Sequence, residues 1–247
     1  MIFALLLGCA DFLAIADTFN DLTNPMVVQA WYIGVEPLPE GVDLGASDWD
    51  AGSSARVMLA DATALEDLGD SPIDDAAVEL EVDGEGFALF PESDGNFAAT
   101  SEDGLPWAAA ADTVLRVDRD GAHHLSMVTP DAPELDVPES IDAGAELVVS
   151  LEGQDYDNMM VTVVRLADGE TTYDSLPTDI ADLYRLTHAA GSLEAEIPGS
   201  AFREPGAYAV GVAGLVNADP DSYEDVNLAL SALTAGSLRF TAVHVGE

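Results

Sequence analysis

The stretch AAVELEVDGEGFALFPESDGNFAAT, residues 76–100, carries the pattern on which the fold turns. Val78, Leu80 and Val82 alternate with Glu79 and Glu81, a period of two that sets one face of a strand against a core and the other in water. Asp83-Gly84 and Ser93-Asp94-Gly95-Asn96 stand where tight hairpin turns belong, because Asp and Gly accept the left-handed backbone such turns require. GFALF (86–90) returns between them. Strands joined by turns this short pair antiparallel.

The same grammar extends in both directions. In the first half it gives MVVQAWYIGV (26–35), SARVMLADA (54–62), TVLRVDRD (113–120) and AHHLSMV (122–128); in the second, ELVVSL (146–151), MMVTVVRL (159–166), SLEAEI (192–197), GAYAVGVAGLV (206–216) and SLRFTAVHV (237–245). TDIADLYRLTHAAG departs from it and predicts a short helix, with Thr178 as cap, Ile180, Leu183, Tyr184 and Thr187 on one face, and Gly191 as stop. The proline-rich stretch TPDAPELDVPESIDAG (129–144) has no apolar periodicity and reads as a connection. The expectation is an all-β chain of two antiparallel β-sandwich domains in tandem, residues 25–130 and 131–247, behind a leader and tether at 1–24.

Composition narrows the function. With 48% hydrophobic and 22% charged residues the chain can bury a sizeable core. Forty-seven acidic residues face seven basic ones, all arginine, for a formal net charge of -40. Such a field repels phosphate backbones and excludes a nucleic-acid partner. The carboxylates are spread along the chain and predict a solvated acidic surface that high salt screens, as in a salt-adapted protein.

Three local resemblances add to this reading. GAYAVGV, after the turn REPG, resembles the penultimate strand of immunoglobulin-like and fibronectin-like modules, which implies that Tyr208 forms a tyrosine corner. SPIDDAAVELEV with SDGNFAAT is similar to the transthyretin-like, carboxypeptidase-regulatory-like module. Such modules are commonly accessory or adhesive, so neither resemblance brings catalytic residues. At the start, Leu6-Leu7-Gly8-Cys9 resembles the lipobox of bacterial lipoproteins. That resemblance implies a diacylglyceryl anchor on Cys9, a cell-envelope location and, through Ala10, sorting to the outer membrane. The basic segment that opens a secretory signal is missing, since Met1 is followed directly by Ile2.

Two other readings of this region stand beside lipidation. Ala14-Ile15-Ala16 forms an A-x-A-like cleavage site for a secreted protein, and Phe12, Ile15, Phe19 and Leu22 fall at helical spacing for a buried helix. A transmembrane span is excluded: the apolar run is short, and Asp11 costs about 2.5 to 3.5 kcal/mol near a helix centre. Cys9 is the single cysteine, so no internal disulfide forms.

Catalytic signals are sparse. There is no G-x-S-x-G, and His123, His124, His188 and His244 form no H-E-x-x-H. His123 and His124 are adjacent in a strand and so face opposite ways. Carboxylate pairs are too abundant to single one out. The cofactor candidate is calcium, held by oxygen ligands in the loops SDWDAG (Asp48, Asp50), QDYDN (Asp155, Asp157, Asn158) and DPDSYEDVN (Asp219, Asp221, Asp225, Asn227). The last departs from an EF-hand at Tyr223 and Glu224. Trp31, Trp49 and Trp107 suit either a carbohydrate platform or core packing, and Trp31 within its apolar strand fits packing.

The expected protein is therefore non-enzymatic: an acidic envelope lipoprotein, lipid-anchored through Cys9, that acts as a structural module or as a binding module for a surface protein or a glycan. The alternatives are a calcium-dependent adhesion module and a secreted acidic hydrolase working through paired carboxylates.

Overall fold

The computed structural model describes residues 24–40, 42–44, 52–64, 67–68, 70–177 and 180–246. The chain is an all-β sandwich. Its strands are β1 (Met26–Val35), β2 (Gly52–Asp61), β3 (Ala77–Val82), β4 (Glu85–Pro91), β5 (Asn96–Thr100), β6 (Asp112–Asp118), β7 (Ala122–Val128) and β8 (Ser140–Asp142). They continue as β9 (Leu147–Ser150), β10 (Asn158–Arg165), β11 (Glu170–Asp174), β12 (Glu194–Ile197), β13 (Gly206–Asn217), β14 (Tyr223–Glu224) and β15 (Ala232–Gly246), and among the described residues there is one α-helix, α1 (Ile180–His188). The β3–β4 and β4–β5 hairpins turn on Asp83-Gly84 (φ 50° and 84°) and Asp94-Gly95 (φ 52° and 75°). Two successive left-handed residues match the twist of the flanking strands, which is why the Asp-Gly pairs mark these turns.

One large sheet runs β11-β10-β13-β15-β1-β2-β5-β4-β3-β6-β7-β14, with β8 branching from β15, and β9 and β12 form a second, two-stranded sheet. The sheet turns a corner at β4, whose Glu85–Leu89 portion pairs with β3 while Phe90 and Pro91 pair with β5. Two pairings depart from the antiparallel pattern: β15 runs parallel to β1, from Gln29↔Ala232 to Val35↔Leu238, and parallel to β8. The first strand and the last are thus neighbours at the centre of the sheet.

Both cores form on one face of that sheet. In the first, Val28, Ala30 and Tyr32 of β1 pack with Leu80, Leu115 and Leu125 across the corner, and Ala218, Val226 and Leu233 complete it from the other half of the chain. In the second, Leu147, Val149 and Ile197 of the small sheet cover Val163, Val210 and Val243. Leu233 and Val243 lie an even number of residues apart on β15, whose pairing with β13 is unbroken, so they share a face. The 129–144 stretch packs on the second core through Leu135, Val137 and Ile141 and supplies β8. Arg239 Nη1 donates to the Pro133 carbonyl (3.2 Å), Tyr156 donates to that of Asp131 (2.9 Å), and Gln154 exchanges two 2.9 Å hydrogen bonds with the main chain of Glu134. Beside the second core, the Tyr208 hydroxyl donates to the Glu204 carbonyl at 2.9 Å and its ring meets Phe202 edge-on at 5.5 Å, the geometry of a tyrosine corner.

Close packing at the end of β1 requires a glycine. Trp107 tilts against Tyr32 at a centroid distance of 4.9 Å, the Tyr32 hydroxyl donates to the Pro106 carbonyl, and burial raises the pKa of the Tyr32 phenol. A Cβ on Gly34 would overlap the indole of Trp107 near its root, where the ring cannot swing clear. Gly34→Ala is expected to destabilise the fold by roughly 1–3 kcal/mol through overpacking, measured as a lower midpoint in urea unfolding.

A candidate binding cleft on the opposite face

Among the described residues, the other face of the sheet carries no second β-layer over β10, β13 and β15. Here Leu215, Leu238 and Phe240 cluster with Trp31, Ile33 and Leu44. Beside this cluster opens a cleft of about 1010 Å³. Its floor is a ladder of paired residues, Met160–Ala213–Leu238–Val35–Gly52, running across β10, β13, β15, β1 and β2. Four strand spacings of about 4.8 Å make that floor roughly 19 Å long. Leu238 stands at the middle of that floor, next to small Ala213 on β13, and Trp31 and Ile33 of β1 join the lining.

The lining is segregated. Ser54 and Arg56 on β2, with Ser101 and Glu102 in the 3-10 turn after β5, make one wall polar, while Leu176 and Pro177 after β11 make the other apolar. Thr162 of β10 belongs to the lining at that apolar side. It is 3% exposed, and its Oγ1 is buried without a hydrogen-bond partner among the described residues. Most buried hydroxyls are paired, so this one is conspicuous.

Arg56 is held less tightly than three of the other arginines. Arg165 is gripped by Asp168, Glu170 and Glu204, Arg119 by Asp61 and Asp75, and Arg116 by Glu81. Hydrogen bonding to Asp168 raises the Arg165 pKa and lowers that of the Asp168 carboxyl. Arg56 is 71% exposed and has Glu92 only at 3.9 Å. A pair this long and exposed leaves the guanidinium free to meet a ligand. By contrast Ser53, also in the lining, already donates to the Leu105 carbonyl at 2.6 Å.

Of the residues singled out from sequence, Trp31 lines the cleft and Trp107 packs on the first core. Cys9, Asp48, Trp49, Asp50 and Thr178 lie outside the described residues. Among the calcium candidates, Asp157, Asn158 and Asp219 hydrogen bond through their side chains, and Asp221 and Asp225 through their main chain. The Asp157 carboxylate accepts from the Asn217 backbone N–H at 2.8 Å, and the Asn158 amide donates to the Leu186 and Ala189 carbonyls at the end of α1. Asp219 caps its 3-10 turn through Asp221 N–H at 3.0 Å, and the Asp225 carbonyl accepts from Asn24. Asp155 is exposed. No group of three or more His, Cys, Asp or Glu side chains suited to a metal occurs among the described residues.

Arg56, Thr162, Ser54 and Ser101 were not singled out, because no motif links strands so distant in sequence. The one legible signal was Thr162, a lone hydroxyl inside the apolar run MMVTVVRL.

The chain matches no protein-family model and no curated protein sequence. The chemistry of the site therefore rests on its own geometry.

Away from the cleft, His188 at the end of α1 stacks on Tyr184 at 4.0 Å and approaches the Tyr184 carbonyl through Nδ1 at 3.1 Å. Burial lowers its pKa below the ordinary histidine value of 6.5. The unfolded chain thus takes up this proton first as pH falls, so the neutral ring's contribution is present above about pH 6.5 and is lost on acidification. Melting temperatures from pH 7.5 to 5 are expected to fall more steeply, or rise less, in the parent than in His188→Phe, which keeps the stack and cannot titrate.

Proposed function

We propose that this protein is a non-enzymatic binding module of a bacterial cell envelope, held to the membrane by lipid on Cys9 and taking its ligand in the cleft floored by β10, β13, β15 and β1. The observation that carries the binding role is the cleft itself: a long apolar floor with a polar wall, on the sheet face that neither core occupies. Concave sites of this kind, apolar with a few convergent polar groups, are where small ligands bind. The described lining contains one carboxylate, Glu102, and no histidine. A binding role needs no more, whereas hydrolysis by paired carboxylates needs a second acid at a set distance.

The envelope location rests on Leu6-Leu7-Gly8-Cys9 and on Cys9 being the single thiol. Residues between Cys9 and the start of β1 at Met26 then serve as the tether. The acidic surface suits a salty exterior, where counterions screen its self-repulsion.

Intact-mass analysis of protein from native membranes, beside the Cys9→Ala variant, tests the anchor. A mature chain that starts at Cys9 with a diacylglyceryl adduct, lost in the variant, is the expected outcome. An unmodified chain that starts near Asp17 or keeps Met1 removes the tether and leaves a secreted or soluble binding protein.

A further inference from the structure

We infer that the cleft takes a neutral oligosaccharide, stacked on Trp31 and anchored at its two ends by Thr162 and by the Arg56 wall. This rests on the binding-module reading and gives it a ligand class.

Three observations select that chemistry. The first is charge: a chain of net charge -40 repels anions, and the described lining offers one cation, Arg56, and one carboxylate, Glu102. Acidic glycans, fatty acids and phospholipids are disfavoured in such a field. A hydroxyl group is served by both side chains, donating to Glu102 and accepting from Arg56.

The second is the order of groups along the floor. Polar atoms stand at both ends, Thr162 on β10 and Ser54, Arg56 and Ser101 toward β2 and β5, with Trp31 and Leu238 between. An alkyl chain would cover the middle but strand the Thr162 hydroxyl in a drier site, where an unmet polar group is costly. A sugar chain has apolar C–H faces for the indole and hydroxyls along its whole length. A floor of roughly 19 Å accommodates more than one ring.

The third is the Thr162 hydroxyl itself, 3% exposed and unpartnered among the described residues. A group kept buried and unpaired in the free protein, where valine would fill the same space, is accounted for if a ligand completes its hydrogen bond.

The test uses the full chain and its Trp31→Ala, Arg56→Gln and Thr162→Val variants. Binding is measured by titration calorimetry against the hexasaccharides of cellulose, xylan, starch and chitin, with N-phenyl-1-naphthylamine as an apolar probe that is not a sugar. At least one hexasaccharide is expected to bind the parent, and each variant to weaken it by about tenfold or more, which corresponds to about 1.4 kcal/mol. Thr162→Val should melt no lower than the parent, since it removes an unmet hydroxyl and keeps the shape. A lower melting temperature would assign that hydroxyl a structural partner and overturn its role as anchor. Absence of binding to every hexasaccharide, or binding indifferent to all three variants, overturns the saccharide inference. In that event, naphthylamine binding lost in Trp31→Ala keeps the cleft as a site for an apolar ligand, and failure of every probe removes the binding role as well.

Discussion

Everything in this molecule hangs on the parallel pairing of β1 with β15. It joins residues about two hundred positions apart, and through the unbroken antiparallel ladder of β15 with β13 it fuses two sandwiches into one sheet. Because Leu233 of β15 belongs to the first core and Val243 to the second, neither core is complete until the last strand is in place. Contacts so distant in sequence are paid for in loop entropy before they are rewarded, which predicts slow, late closure of the fold. The Pro-rich stretch between the halves is fastened to the second half by Arg239, Tyr156 and Gln154.

Local pattern made the elements readable and left their partners hidden. The ranges 26–35 and 122–128 coincide with β1 and β7, since both are long, apolar and bounded by turn residues. The two Asp-Gly turns were legible for the same physical reason that forms them, tolerance of the left-handed backbone. β8, β11 and β14 escaped because they are short and polar, and β5 because NFAAT reads as the tail of a turn. Parallel closure was invisible from alternation, which states which face is buried and never which strand lies alongside. One hint was present: Met26 to Ala30 is apolar but for Gln29, with little alternation, and all five residues are buried, as befits a strand covered on both faces.

The cleft follows from the same architecture. Its floor is the reverse of the sheet that supports both cores, so the rigidity of those cores fixes the spacing of Trp31, Ala213 and Thr162 without any loop having to order on binding. Such preorganisation lowers the entropy lost when a ligand docks. It also explains why the site was illegible as a motif: its parts come from β1, β2, β10, β13 and β15, and they meet through pairing register.

The direction of β1 carries a mechanical consequence. If the proposed lipid anchors the chain and the proposed ligand sits in the cleft, tension would enter this strand at Met26 and leave through Trp31 and Ile33 of the same strand, so load would pass along its axis. Hydrogen bonds to β2 on one side and β15 on the other lie across that axis and are strained together in shear, instead of opening one at a time. A protein loaded this way would meet the pull with two ladders at once, one parallel and one antiparallel.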